Sequence, residues 1–298
     1  MPKFKLLLGP MRAPFLVLPP ACVLLGVSIA AWTHGSVNVW RAILILIGSI
    51  AAHISVNAMN EYFDFRSGLD FRTMKTPFSG GSGTLPARPE MARAALATGM
   101  ISLAITGLIG LYLLTVWGWA LLPLGLLGMV VIVIYTTWLT QNWILCLIAP
   151  GLGFGTLMVM GTAFGLSGEY TWTAFLGSLV PFFLVSNLLL LNQFPDAEAD
   201  RTVGRRHLPI VAGRRTSAIV YDLFLLATYL TIIVGVVSKL LPAWSLLGLL
   251  TLPLAVPTAL AALRYADNMP KLAPYMGFNI LLNITTPVLM AIGLFIAA

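Results

Sequence analysis

The sequence has little charge: Asp, Glu, Lys and Arg make up 9% of its 298 residues, against roughly 25% in an average soluble domain. Hydrophobic residues make up 59%, so polar side chains are too few to cover a surface that faces water. This shortage excludes a soluble enzyme, a disordered protein and a nucleic-acid-binding protein. The two cysteines, Cys22 and Cys146, lie in apolar stretches and match no disulfide or metal-binding pattern.

Charge is missing from stretches long enough for membrane-spanning helices. A helix crosses the hydrocarbon core of a bilayer in about 20 apolar residues. The longest uncharged run, residues 94–168, has room for three spans, with breaks expected at 117–119 and 141–143. The whole sequence predicts an all-α membrane protein with nine transmembrane helices, forming a single domain over residues 1–298.

The basic residues predict how these helices are oriented. If loops alternate between the two sides, Arg41 and Lys239 lie on one side and all the other Lys and Arg residues on the opposite side. The positive-inside rule makes this second side cytoplasmic. We therefore expect a multi-pass protein of the cell membrane, surrounded by lipid bilayer, with its N terminus and its two longest loops in the cytoplasm.

One face of the second predicted helix is polar although the helix is otherwise apolar. His53, Asn57, Asn60 and Asp64 lie within about 60° of one another at ~100° per residue. Such side chains cannot face lipid cheaply, so this polar stripe predicts a cavity inside the helix bundle. Asp70 follows just beyond the cytoplasmic end of the stripe.

The sixth predicted helix ends in a similar way. Asn192 and Asp196 repeat the spacing of Asn60 and Asp64, and Asp200 follows them. The two helices leave the membrane on the same side because an even number of crossings separates them, so their acidic ends can face one cavity. The pattern also suggests a parallel internal repeat of four helices.

Carboxylate and amide oxygens beside basic residues can hold magnesium and a diphosphate. Mg²⁺ prefers oxygen ligands and usually bridges one or two carboxylates to substrate phosphates. Arginine binds phosphate oxygens in bidentate fashion. A polar site at the membrane edge with a long apolar cavity behind it is suited to an isoprenoid diphosphate.

The first motif resembles that of the UbiA superfamily of intramembrane prenyltransferases, and the resemblance covers almost the whole chain. Asn60-x-x-x-Asp64-x-x-x-x-x-Asp70 is similar to the motif of the menaquinone-type branch, which prenylates 1,4-dihydroxy-2-naphthoate. Tyr135-Thr136 also looks like that branch. The resemblance implies a bundle around a central cavity with cytoplasmic lid loops.

Residues 192–208 resemble the second motif of the superfamily but depart from it at several positions. Gln193, Pro195, Arg205 and His207 stand where Asn, Arg, Lys and Thr are usual. Residues 149–154 lack the Gly-Glu or Gly-Asp pair that is common after the fourth span. The diphosphate end of the site is thus better matched than the acceptor end. Other acceptors stay open (4-hydroxybenzoate, homogentisate or a glycerol-phosphate lipid), and a membrane transporter is a remote alternative.

The resemblance implies a role for each candidate residue. The acidic and amide residues of both motifs would bind Mg²⁺ and the diphosphate, with the four aspartates as the catalytic residues: Asn60, Asp64, Asp70, Asn192, Asp196 and Asp200. The basic candidates to neutralise the diphosphate are Arg72, Lys75, Arg205 and Arg206. The candidates for contacts with the aromatic acceptor are His53, Asn57 and Tyr135.

A glycine-rich segment and four other titratable residues lie outside this set of candidate site residues. Residues 77–83, which include Pro77 and Phe78, have the composition of a mobile lid that keeps water from the reaction. Glu61 and Glu198 are predicted to be solvated or paired with basic residues. Asp222 lies within a predicted span, where a functional role, a packing hydrogen bond and a pair with a loop arginine all stay open. The role of His207 stays open.

Overall fold

The computed structural model describes residues 6–73, 75–76 and 79–298. The predicted cytoplasmic residues Lys3 and Lys5 and the predicted lid residues Pro77 and Phe78 lie outside the described residues. Within the described ranges the chain is all-helical and has no strand, which confirms the predicted class.

Eight helical segments of the described chain are long and apolar enough to cross a membrane. They are α1 (Ala13–His34), α2 (Val39–Ser67), α3 (Pro89–Ile134), α4 (Trp143–Ser167), α5 (Trp172–Arg201), α6 (Gly213–Val237), α7 (Ala243–Arg264) and α8 (Met269–Ala297). Short helices at Thr84–Ala87 and Leu208–Val211 lie in the loops that follow α2 and α5. The protein is therefore a multi-pass membrane protein.

Segment α3 has 46 residues and is not one straight helix. It begins with the 3-10 helix Pro89–Met91 and continues as two helices, Ala92–Trp117 and Leu122–Ile134, which the 3-10 turn Gly118–Leu121 joins. This break lies where the sequence predicts one. The second helix of α3, which corresponds to the fourth of the nine predicted spans, has no fully buried residue.

Side-chain caps begin several of the helices. The Asn142 side chain accepts hydrogen bonds from the backbone N–H groups of Ile144 and Leu145, at 3.0 and 3.2 Å, and so begins α4 at the second predicted break. The Thr171 hydroxyl accepts from the N–H of Ala174 at 3.1 Å at the start of α5. These caps satisfy backbone donors that have no partner within their own helix.

The main hydrophobic core surrounds α5, which packs against α4, α6 and α8. Its fully buried residues include Leu184 of α5, Tyr221 and Ile232 of α6 and Leu294 of α8. Helix α2 packs mainly against the first helix of α3. A cavity lies between these two groups of helices, beside the core rather than within it.

Candidate active site

A cavity of about 640 Å³ lies among α2, α3, α4 and α5. Most of its wall is hydrophobic, with Ile45, Leu113 and Leu121 at the end remote from the motifs. Its polar end gathers ten of the sequence-predicted residues: His53, Asn57, Asn60, Asp64, Asp70, Tyr135, Asn192, Asp196, Asp200 and Arg205. The two motifs therefore face one cavity.

The first motif lies at the C-terminal end of α2. Asn60 donates a hydrogen bond from Nδ2 to the hydroxyl of Thr136 at 3.2 Å, which ties α2 to the segment after α3. Gly68 ends the helix with φ +78°, a conformation that favours glycine, and its N–H donates to the carbonyl of Asp64. The turn that follows leads into a short 3-10 helix in which Asp70 is buried.

The carboxyl of Asp70 lies in an unfavourable place for a negative charge. Burial, followed by the charges of Glu61 and Asp64, raises the pKa of Asp70 from 3.8 to about 7. A site of this kind favours a cation that neutralises the crowded carboxylates.

The second motif lies at the C-terminal end of α5 and in the loop after it. Asp196 accepts a hydrogen bond from the backbone N–H of Gly80 at 3.2 Å. Asp200 is buried and lies 3.2 Å, measured from Oδ2, from Nε2 of His207. Burial and the nearby Arg205 lower the pKa of His207 to about 3, so its ring is neutral at physiological pH.

Arg205 connects the two motifs. One guanidinium nitrogen donates a hydrogen bond to Asp64 at the end of α2, and another donates to Asp200 at 2.9 Å. The side chain is largely buried, with 15% of it exposed, so these bonds form where water competes weakly. A fixed fork of donors at the polar end of the cavity is suited to binding phosphate oxygens.

Free carboxylate oxygens make this end of the cavity suitable for a divalent cation. Oδ2 of Asp70 and Oδ1 of Asp196 are buried and have no hydrogen-bond partner in the described part of the chain. Within those same residues no group of three or more His, Cys, Asp or Glu side chains forms a metal cage. An oxygen-only donor set of this kind fits Mg²⁺ held jointly by carboxylates and substrate phosphates, as Mg²⁺ is usually bound.

Three basic residues predicted to bind the diphosphate are not among the residues that line this cavity. Arg72 is exposed and donates to the hydroxyl of Thr202 at 3.1 Å. Lys75 and Arg206 are exposed as well, and the backbone N–H of Arg206 donates to the carbonyl of Thr140. Of the four basic candidates, only Arg205 is brought into the cavity wall.

The three acceptor candidates lie at the polar end of the cavity or just inside it. His53 is buried and packs edge-to-face against Phe154 of α4, with ring centroids 5.0 Å apart. Phe154 belongs to a π-helical stretch, Leu152–Met160, a distortion that is frequent at functional sites. Nδ1 of His53 and Nδ2 of Asn57 are buried and unpaired among the described residues, so both can receive a polar ligand.

Arg12 and Glu61 are site residues that the sequence interpretation missed. Glu61 is 1% exposed and lies 3.4 Å, from Oε1, from Nε of Arg12, which lines the cavity. The predicted pairing of Glu61 with a basic residue is confirmed, and the alternative of a solvated side chain is wrong. No sequence signal joins Arg12 to this site, because the contact depends on how the N-terminal segment folds over α2.

Of three other titratable residues, Glu198 and Asp222 are not among the residues that line the cavity, whereas His207 is. Glu198 is exposed and lies 3.9 Å from Arg201, as predicted for a solvated or paired acid. Asp222 is partly buried, and its Oδ1 lacks a hydrogen-bond partner among the residues described. His207 lines the cavity beside Asp200.

Comparisons with known proteins agree with this architecture. The model of the UbiA prenyltransferase family matches residues 17–296. The chain is 27% identical over 275 residues to a 1,4-dihydroxy-2-naphthoate octaprenyltransferase of Mycobacterium leprae, a match that covers 90% of this chain and 87% of the relative.

Solved structures have the same fold. The apo structure of a UbiA homologue from Aeropyrum pernix K1 matches with a TM-score of 0.72 and 18% identity, over 94% of this chain and 97% of that one. A UbiA homologue from Archaeoglobus fulgidus bound to GPP and Mg²⁺ matches with a TM-score of 0.61 and 14% identity, over 96% and 99% of the two chains.

Proposed function

Because the chain belongs to the UbiA prenyltransferase family and is a membrane prenyltransferase, we propose that it transfers a polyprenyl group from an isoprenyl diphosphate to an aromatic quinone precursor. The proposed acceptor is 1,4-dihydroxy-2-naphthoate, the precursor of menaquinone. One observation carries the proposal: the carboxylates of two distant motifs and Arg205 meet at the polar end of a cavity that is otherwise hydrophobic. The name of the Mycobacterium leprae relative supports the choice of acceptor.

The polar end of the cavity binds the diphosphate in this proposal. The acidic and amide residues of the two motifs would hold Mg²⁺, which would neutralise charge on the leaving diphosphate. Arg205 donates to the diphosphate oxygens as the bond between carbon and oxygen breaks. The hydrophobic wall holds the prenyl chain and keeps water from the allylic cation.

His53, Asn57 and Tyr135 orient the acceptor ring. A new carbon–carbon bond forms between the allylic carbon and the ring carbon that carries the carboxylate. Carbon dioxide leaves that ring carbon, and the diphosphate leaves the donor, so the charges and atoms balance. The unpaired Nδ1 of His53 and Nδ2 of Asn57 are suited to the polar groups of such a ring.

We propose nine membrane crossings, with both helices of α3 crossing. A straight helix of 46 residues would be about 69 Å long, more than twice the ~30 Å hydrocarbon core. Nine crossings and the distribution of basic residues together support a cytoplasmic N terminus and active-site loops in the cell membrane.

The test is an assay of the purified protein in detergent. The protein is incubated with Mg²⁺, radiolabelled geranylgeranyl diphosphate and, in separate reactions, 1,4-dihydroxy-2-naphthoate, 4-hydroxybenzoate and homogentisate. We expect lipid-extractable product with the naphthoate, and loss of that product in Asp64→Ala and Asp196→Ala.

The outcomes test the type of reaction and the identity of the acceptor separately. If product forms only with another acceptor, the prenyltransferase reaction is supported and that acceptor replaces the naphthoate in the proposal. A glycerol-phosphate lipid is the next acceptor to assay if none of the aromatic rings reacts.

A further inference from the structure

We propose that Glu61 is a positioning residue that holds the glycine loop, residues 79–83, closed over the diphosphate site and thereby keeps water from the allylic cation. This inference rests on the proposed function and adds a residue that the prenyl-transfer scheme above does not use. It is supported by contacts on both sides of the loop.

Glu61 holds the loop from the side of α2. Its side chain has no exposed surface. Oε1 accepts a hydrogen bond from the backbone N–H of Ser82 at 2.6 Å, and Oε2 accepts one from the Ser82 hydroxyl at 2.9 Å. A buried carboxylate that accepts two hydrogen bonds from one residue fixes that residue firmly, because charge-assisted bonds are the stronger kind.

The opposite side of the loop lies on the second motif. The N–H of Gly80 donates to Asp196 of α5 at 3.2 Å. Between these two attachments the backbone of Gly81 passes Asp70 so closely that a Cβ on Gly81 would lie 2.9 Å from Oδ1 of Asp70. The loop therefore spans the mouth of the site, from α2 to α5, directly over an acidic side chain.

Arg12 completes the attachment on the α2 side. Its Nε lies 3.4 Å from Oε1 of Glu61, and it donates from Nη2 to Asn60 at 3.4 Å. Arg12 has φ +50°, a left-handed backbone conformation that is uncommon for a residue with a side chain. The charge of Glu61 is thus balanced within the closed arrangement, so no metal ion is needed to keep this acid buried.

An open loop would admit water, and water competes with the acceptor. In that side reaction the carbon–oxygen bond of the donor breaks as before, the oxygen of water bonds to the allylic carbon, and a proton is released. The products are a prenyl alcohol and diphosphate. The ratio of prenyl alcohol to prenylated acceptor therefore measures how well the loop is closed.

The first experiment measures this ratio in Glu61→Ala and Glu61→Gln with radiolabelled geranylgeranyl diphosphate, Mg²⁺ and the acceptor that the wild type uses. We expect Glu61→Ala to raise the ratio about tenfold, which corresponds to about 1.4 kcal/mol in the closing of the loop. Glu61→Gln, which keeps an acceptor for the Ser82 N–H, should rescue part of the loss. Total donor consumption should fall much less than the yield of prenylated product.

Two further variants control for general damage. Ser82→Ala removes the hydroxyl bond but leaves the backbone bond and Arg12 in place, so a smaller rise in the ratio is expected. Glu198→Ala removes the same charge from an exposed position on α5 and should leave the ratio at the wild-type value.

The second experiment needs no substrate. Hydrogen–deuterium exchange of the full-length protein in detergent should show faster exchange in peptides that cover residues 79–83 in Glu61→Ala, with the helices unchanged. Unchanged exchange there would overturn the attachment whatever the enzyme catalyses. Faster exchange with an unchanged product ratio would overturn the role in water exclusion. Loss of both donor consumption and Mg²⁺ binding would make Glu61 a metal ligand instead.

Discussion

The guanidinium of Arg205 donates a hydrogen bond to the carboxylate of Asp64, which lies 141 positions earlier in the chain. The same guanidinium donates to Asp200 at 2.9 Å. One side chain thus connects the end of α2 with the loop after α5, at the point where the diphosphate is proposed to bind.

Arg205→Lys should lower kcat/KM severely, because a single ammonium cannot reproduce a planar fork that donates in two directions. We expect a loss of about 100-fold in kcat/KM for the donor. Steady-state assays with labelled donor measure it. Arg201→Lys is the matched control, since Arg201 is exposed and pairs with Glu198. Equal activity of Arg205→Lys and wild type would contradict the proposed role.

Removal of the carboxylate of Asp70 or of Asp196, each of which has one oxygen without a hydrogen-bond partner among the described residues, should greatly weaken the metal-dependent binding of the donor. The quantity measured is the factor by which Mg²⁺ raises the affinity for a non-reactive thiolo analogue of the diphosphate. In Asp70→Asn and Asp196→Asn, we expect this factor to be at least about 100-fold smaller than in wild type. Isothermal titration calorimetry with Mg²⁺ or with EDTA measures this effect. Glu198→Gln should bind like wild type, and retained Mg²⁺ dependence in both site variants would exclude these two ligands.

Gly81→Ala should lower kcat by more than the strain in its backbone alone would cause. Both Gly81 and Gly35 have left-handed backbones, with φ of +70° and +77°, so alanine costs roughly 1–2 kcal/mol at either position. A Cβ on Gly81 would meet the Asp70 carboxylate, whereas one on Gly35 would meet nothing within 4 Å. We expect similar melting temperatures for the two variants but a lower kcat in Gly81→Ala alone. Equal kcat values would argue against a closed loop during turnover.

Tyr221→Phe should destabilise the bundle without changing the site. The buried Tyr221 hydroxyl donates to Oδ1 of Asn279 at 3.0 Å and so links α6 to α8. Its loss leaves a buried acceptor unpaired, at a cost of about 1 kcal/mol. Thermal unfolding in detergent measures the change, with Tyr112→Phe as the control, because Tyr112 is 40% exposed. A melting temperature equal to that of wild type would show that this bond adds no net stability.

His53→Leu should weaken binding of the acceptor and spare the donor. We expect KM for the acceptor to rise about tenfold, the effect of losing one buried hydrogen bond. KM for the diphosphate should stay unchanged, because His53 precedes Asp64 by 11 residues on α2, about 16 Å along the helix axis. Separate titrations of donor and acceptor test the split, and a parallel rise in both KM values would assign His53 to packing against Phe154 instead.

Several features of the fold could be predicted because they depend on one helix at a time. The shortage of charge required a membrane environment, and the gaps between charged residues located the helices. The breaks at 117–119 and 141–143 followed from turn-permissive or polar residues next to aromatic residues. Periodicity predicted the polar face of α2, since it relates residues within a single helix.

The choice among the basic residues could not be predicted. Arg205 and Arg206 are neighbours with the same chemistry, yet one bridges two carboxylates and the other is exposed. Arg72 and Lys75 follow the first motif closely but are not among the residues that line the cavity. Sequence proximity to a motif does not determine where a long, flexible side chain points.

The sequence by itself therefore determined the membrane class, the two motifs and the chemistry they can carry. Only the tertiary structure decided which residues meet: Arg205 with Asp64, Arg12 with Glu61, and Gly80 with Asp196. The physical reason is that local pattern sets the face of each helix, whereas contacts across the site depend on how separate helices and loops pack together. That packing is the sum of many weak contacts along the whole chain, which no single motif encodes.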